Sequence, residues 1–287
     1  MKRVAISIAT AVLVAAVVRP VFAQSRPLVT EDPETVPAGR VLIEAGADYG
    51  RDASYPASGL RGNQWKLGTF GLSFGVGPIT ELQMDGGIRN RLAIKSQDPG
   101  APLAGMLNPT AVPGGRTGDI EDLSFGTKIR FISETPTRPS FAVRISTRLP
   151  NAGNESGLGL DTTDFNLGLA VGKTAQSVRF VGNFGVGILG DPVRGDSQND
   201  VVTFGLSMAR AVRNGVELVG ELNGRISTRS GTPPVGTDSR SMLRIGARGT
   251  RGPVRIDGAL FAGITENDPS WGFTFGGTWV FKAFDVK

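Results

Sequence analysis

The sequence predicts an all-β protein, a transmembrane antiparallel up-and-down β-barrel of about twelve strands. Three observations lead there. Segments of about ten residues alternate apolar and polar side chains one after another along the chain. The connections between them alternate in length. The chain also opens with an export-type leader.

In the leader, Lys2 and Arg3 supply a positive start, an almost unbroken apolar run covers residues 4–18, and Arg19 and Pro20 break it. Val21-Phe22-Ala23 has the small-x-small character of a signal-peptidase site. The run is short for a spanning helix, which needs about 20 residues. Residues 1–23 are therefore expected to be a cleaved signal peptide. Residues 24–40 are expected to be an N-terminal extension with the option of folding into the lumen, and residues 41–284 the barrel. No later apolar run approaches a membrane-spanning helix.

The strands follow in order. Residues 41–49 set Val41, Ile43 and Tyr49 against Glu44 and Asp48. In residues 65–76 the phase slips around Thr69 and Phe70, which suggests a bulge. Residues 81–91 set Leu82, Met84 and Ile88 against Glu81, Gln83, Asp85 and Arg89, and residues 123–131 set Phe125, Ile129 and Phe131 against Ser124, Lys128 and Arg130. The clearest segment is 141–149, with Phe141, Val143, Ile145 and Leu149 on one face and Ala142, Arg144, Ser146 and Arg148 on the other. Segments 164–172, 178–188, 202–208, 216–227, 242–249 and 254–264 repeat the pattern. Residues 271–281 close the series with an aromatic face of Trp271, Phe273, Phe275, Trp279 and Phe281, suited to the interfacial girdles of a lipid-facing strand.

Long connections are expected at 52–62 and 93–118, with further ones on the same end at 151–161, 191–200 and 229–238. The other end has turns at 77–80, 173–177, 212–215 and 250–253, with 133–140 somewhat longer. A soluble sandwich has no reason to keep that alternation. Short periplasmic turns and long outer loops do.

Composition removes several function classes. The chain has no cysteine and no histidine. Metal sites and catalytic triads built on those side chains are excluded, and no metal or cofactor is expected. Carboxylate pairs such as Glu217 with Glu221, or Glu81 with Asp85, are better read as lumen charges paired with arginines than as a catalytic site. The chain is expected not to be an enzyme. Gly75-Val76-Gly77 and Gly185-Val186-Gly187 precede no helix and form no phosphate loop. The acidic residues in 191–200 are read as a solvated loop. A net charge of +5 is dispersed along the chain, so no nucleic-acid partner is expected. The 41 glycines suit strands that curve and approach other backbone closely.

Two stretches carry a resemblance. Residues 26–40, Arg-Pro-Leu-Val-Thr-Glu-Asp-Pro-Glu-Thr-Val-Pro-Ala-Gly-Arg, lead into Val-Leu-Ile-Glu-Ala-Gly at 41–46. Residues 118–130 read Gly-Asp-Ile-Glu-Asp-Leu-Ser-Phe-Gly-Thr-Lys-Ile-Arg. Both resemble the outer-membrane family described as "putative MetA-pathway of phenol degradation", whose members are often described as transporters. The resemblance implies a barrel and suggests passage of aromatic or other hydrophobic compounds. It brings no catalytic residues.

In this register the lumen is basic. Lys66, Arg89, Lys128, Arg130, Arg144, Arg148, Arg179, Arg225, Arg244, Arg248 and Arg255 are expected to point inward. Fewer carboxylates face them: Glu44, Asp48, Glu81, Asp85, Asp164, Glu217, Glu221 and Asp257. One reading is a ladder of cross-strand ion pairs bracing the wall. The other is an arginine-lined path for anionic solutes such as aromatic carboxylates, and the two can coexist. The function expected is passive passage of small aromatic or anionic compounds across the bacterial outer membrane. The alternative is a non-transporting structural or adhesive barrel that displays its long loops. Partners expected are outer-membrane lipid and lipopolysaccharide, the barrel-assembly machinery and a small-molecule solute.

Overall fold

The structure, a computed structural model, describes residues 25–286. The leader, residues 1–23, lies outside the described residues. The strands are β1 (Arg40–Tyr55), β2 (Leu60–Gly75), β3 (Thr80–Gln97), β4 (Arg116–Asp119), β5 (Leu123–Ile132), β6 (Ser140–Leu149), β7 (Asp164–Ala175), β8 (Val178–Gly190), β9 (Gln198–Arg213), β10 (Val216–Ser227), β11 (Arg240–Arg251), β12 (Val254–Gly263) and β13 (Trp271–Lys282). Sequence neighbours pair antiparallel throughout, except that β4 and β5 both pair with β3, and β13 returns to β1 from Arg40↔Lys282 to Arg51↔Trp271. The sheet is closed and has no free edge, which removes the unsatisfied backbone that hydrocarbon would not tolerate. The four-residue β4 pairs with β3 in the same register as β5, so the two form one interrupted strand. The wall is thus a closed twelve-stranded barrel.

Period-two patterning decides which way each side chain faces. Leu206, Leu243, Ile245, Ile256 and Leu260 stand open to the outside, more than half exposed. So large an apolar surface is untenable in water and is what a lipid-facing wall requires. Aromatic rings band the outer face at two heights. Tyr49, Trp65 and Phe273 meet with centroids 5.0–5.7 Å apart towards the long-loop end. Trp279 and Phe281, 4.4 Å apart, mark the short-turn end.

The phase slip in β2 is a bulge. Gly46 pairs with Thr69 and Ala47 with Leu67, which leaves Gly68 as the extra residue. Gly68 adopts φ +65°, a conformation glycine takes without strain. Beyond it the faces exchange, so that Leu72 lies opposite Ile43 and Gly71 opposite Glu44. The dislocation carries into β3, and Arg89 lies opposite the outward Leu67. The expectation that Arg89 lines the lumen is therefore corrected. A second correction concerns residues 52–62. β1 and β2 continue to Tyr55 and from Leu60, and a two-residue irregularity between Gly50 and Ala53 absorbs the turn-like residues.

The long-loop end is packed rather than splayed. Leu60, Leu92, Ile94, Ala111 and Leu158 form an apolar cluster, with Tyr55 and Leu107 against it. Loop 98–115 is tied to loop 150–163 by the Asn108 amide donating to the Glu155 carbonyl at 2.9 Å. Ser58 Oγ donates to the Gly157 carbonyl at 2.7 Å.

Candidate channel lumen

Residues 25–37 are not part of the wall. They run across its interior and hydrogen-bond side chains of strands all round the barrel. Arg26 Nη2 donates to Thr274 Oγ1 on β13 at 3.1 Å and lies 3.4 Å from Asp257 on β12. The Val29 amide donates to Glu221 Oε2 on β10 at 2.8 Å. The Glu31 amide donates to Asn183 Oδ1 on β8 at 2.7 Å, and Asn183 Nδ2 returns a bond to the Glu31 carbonyl at 2.8 Å. The Val36 amide donates to Glu81 Oε2 on β3 at 2.7 Å. An irregular backbone strung through a lumen needs such partners, because its amides have no ladder of their own.

Its acidic side chains meet the basic wall. Lys128, 1% exposed, holds Glu31 at 3.1 Å and Glu81 at 3.3 Å, and donates to the Asp32 carbonyl at 3.0 Å. Arg144 reaches Asp85 at 3.3 Å and Glu31 at 3.6 Å. Arg179 binds Asp32 at 2.7 Å and also pairs with Glu134, while Arg130 pairs with Glu34. Burial pushes the Glu31 carboxyl up, but Lys128 and Arg144 outweigh it and hold the group below the usual carboxylate range.

Glycines make room for the segment. A Cβ on Gly75 would lie 2.1 Å from the Pro37 carbonyl oxygen, and one on Gly172 2.8 Å from Pro33 Cγ. Gly205 would meet Thr30 Oγ1 at 2.7 Å, and Gly46 and Gly276 would meet the Arg26 guanidinium at 2.3 and 2.5 Å. Much of the glycine content thus serves close approach, and here it clears a groove on the inner wall.

The remaining predicted lumen residues fall into two groups. On β10–β12, Glu217 accepts from Arg248 Nε at 2.7 Å and lies 4.0 Å from Arg255, and Glu221 lies 3.6 Å from Arg244. These form a cross-strand ladder. Towards the long-loop end, Arg148 Nε donates to Asp164 at 2.8 Å and the guanidinium also pairs with Asp122. Arg225 stands apart, bonded to the carbonyls of Asp238 at 2.9 Å and Gly236 at 2.8 Å. The carboxylate pairs Glu217/Glu221 and Glu81/Asp85 are all engaged by basic side chains or segment amides. Sequence reasoning missed Arg26, Glu31, Asp32 and Glu34 as lumen residues. The signal available was the acidic run 31–34 in an extension facing a wall with surplus cations.

Two cavities flank the segment. One of about 750 Å³ is lined by Val29–Glu31 on one side and by Tyr55, Leu158 and Leu160 on the other. The second, about 390 Å³, lies at the short-turn end against Glu34, Pro37 and Arg130. The segment divides the two.

Comparison with known proteins agrees with this geometry. The family model described as "Putative MetA-pathway of phenol degradation" matches residues 24–251. The "COG4313 outer membrane channel" from Pseudomonas putida F1 superposes with a TM-score of 0.60 at 15% identity, over 87% of this chain and 98% of that one. The translocator domain of the autotransporter NalP from Neisseria meningitidis reaches 0.45 at 13% identity, over 86% and 89% of the two chains. The first shares the fold, and the second is too distant to support an argument. No curated protein matches.

Proposed function

We propose that this chain, which belongs to the "Putative MetA-pathway of phenol degradation" family, is an outer-membrane channel for passive passage of small anionic or aromatic compounds, with residues 25–37 setting its bore. The observation that carries this reading is a closed barrel whose interior is polar and contains a cavity of about 750 Å³. Twelve strands enclose more space than the eight that side chains alone can fill, and here part of that space stays open beside the segment. The mixed lining suits small organic acids, since guanidiniums from Arg144, Arg148, Arg225 and Arg244 share it with Tyr55, Leu158 and Phe261. On this reading the leader directs export and is removed. The assembly machinery inserts the barrel, lipid and lipopolysaccharide meet the outer face, and the short turns lie in the periplasm. The protein is not an enzyme on this reading, since its paired carboxylates are neutralised where they stand. An adhesive role is not favoured, because loops 98–115 and 150–163 pack on each other.

Proteoliposomes containing the refolded protein test this. Swelling in isotonic solutions should show small carboxylates entering faster than cations of similar size. A correctly folded barrel that passes no solute would overturn the proposal.

A further inference from the structure

Two lumen arginines differ from the rest. Arg225 and Arg240 are directly opposite each other on β10 and β11, and both line the larger cavity. Among the described residues neither forms an ion pair with a carboxylate, whereas Lys128, Arg144, Arg148, Arg179, Arg244 and Arg248 all do. Asp164 is committed to Arg148. The Asp238 carboxylate turns back to accept from its own loop's Gly236 amide at 3.1 Å.

Among the described residues, Arg240 Nη2 reaches only the Ser54 carbonyl, at 3.3 Å, and its buried Nε has no hydrogen-bond partner. Like charges opposite one another on neighbouring strands repel. A buried donor left unmatched also carries a desolvation penalty. Both costs fall if an anion is held by Arg240 Nε, which is unmatched, together with the Arg225 N–H groups that the Asp238 and Gly236 carbonyls leave open. The same space has a mixed lining that includes the apolar surfaces of Tyr55, Leu158, Leu160 and Phe261.

We infer that Arg225 and Arg240 form a binding subsite for the carboxylate of a small organic acid with an apolar body, located on the long-loop side of residues 25–37. The subsite rests on the channel reading and names its substrate class. A passing acid would exchange hydration for two guanidiniums, then continue towards the segment.

The test uses benzoate as probe and benzyl alcohol as the uncharged control of similar shape. Benzoate should bind the intact refolded chain saturably in calorimetry, and its flux into proteoliposomes should saturate while that of benzyl alcohol stays linear. Arg240→Gln should weaken benzoate binding about tenfold, the scale of one lost charge-assisted interaction, and leave benzyl alcohol flux unchanged. Arg225→Gln/Arg240→Gln should abolish saturation. Arg225 also ties the 228–239 loop, so wild-type saturation, which needs no variant, is the second arm. Linear benzoate flux without calorimetric binding overturns the subsite while leaving the channel intact. Absence of flux for both probes overturns the channel reading itself. Equal benzoate affinity in wild type and Arg240→Gln places any binding elsewhere and also overturns the subsite.

Discussion

Deleting residues 25–37 is expected to raise single-channel conductance in planar bilayers by roughly three- to tenfold, as a twelve-stranded lumen goes from divided to continuous. The segment separates the cavities of about 750 and 390 Å³, and its contacts reach β3, β5, β6, β8, β10, β12 and β13. The wall should survive the deletion. Its closure rests on strand pairing, including the β1–β13 seam, and water would enter to solvate the freed cations. Retention of compact, heat-modifiable electrophoretic mobility would confirm that the barrel still forms. Unchanged conductance in such a barrel would mean that the segment does not set the bore.

Lys128→Met should have the largest effect on stability. The ammonium lies between Glu31 and Glu81, and the Glu81 side chain is 0% exposed. Glu81 also accepts from the Val36 amide and from Gln83 Nε2, both at 2.7 Å. Removing the cation leaves the buried Glu81 carboxylate without its ion-pair partner and Glu31 with only Arg144, 3.6 Å away. Breaking such a buried pair from one side costs about 3–5 kcal/mol. The midpoint of urea unfolding from lipid or detergent should fall accordingly, and conductance should rise as the segment loosens. Adding Glu81→Gln to Lys128→Met should recover part of the loss, because it removes the orphaned charge. If Lys128→Met unfolds at the wild-type midpoint, the pairing inside the lumen does not hold the segment.

The outward face was legible because lipid contact enforces strict period-two patterning, and Phe141, Val143 and Ile145 show it without a neighbour's help. The phase slip near Thr69 was legible too, lying one residue from the true bulge at Gly68. Its consequence was not. The face exchange passes to β3 through strand pairing, so Arg89 was assigned inward although nothing in its own segment breaks phase. The connection expected at 52–62 took in Asp52 and the residues after it. In the structure Asp52 takes φ 56° within a bulged strand. The inward basic residues could be named from alternation alone, but not which of them would be neutralised. Lys128 meets Glu31 across 97 positions of sequence, and no local pattern encodes that pairing. Arg240 begins β11 at the edge of a loop, so no alternation marks it, and its importance comes only from standing opposite Arg225.

The chain contains no cysteine, which allows a direct measurement of where the segment lies. A Cβ at position 205 would sit 3.4 Å from Thr30 Cβ, close to the roughly 3.5–4.5 Å separation of disulfide-bonded cysteines. In the membrane-embedded variant Thr30→Cys/Gly205→Cys, mild oxidation should form the cross-link nearly completely. The cross-linked protein should conduct no more than the uncross-linked one and well below the 25–37 deletion. Two thiols that stay free and react with a membrane-impermeant maleimide, or a cross-linked protein conducting as freely as the deletion, would contradict a lumen governed by this segment.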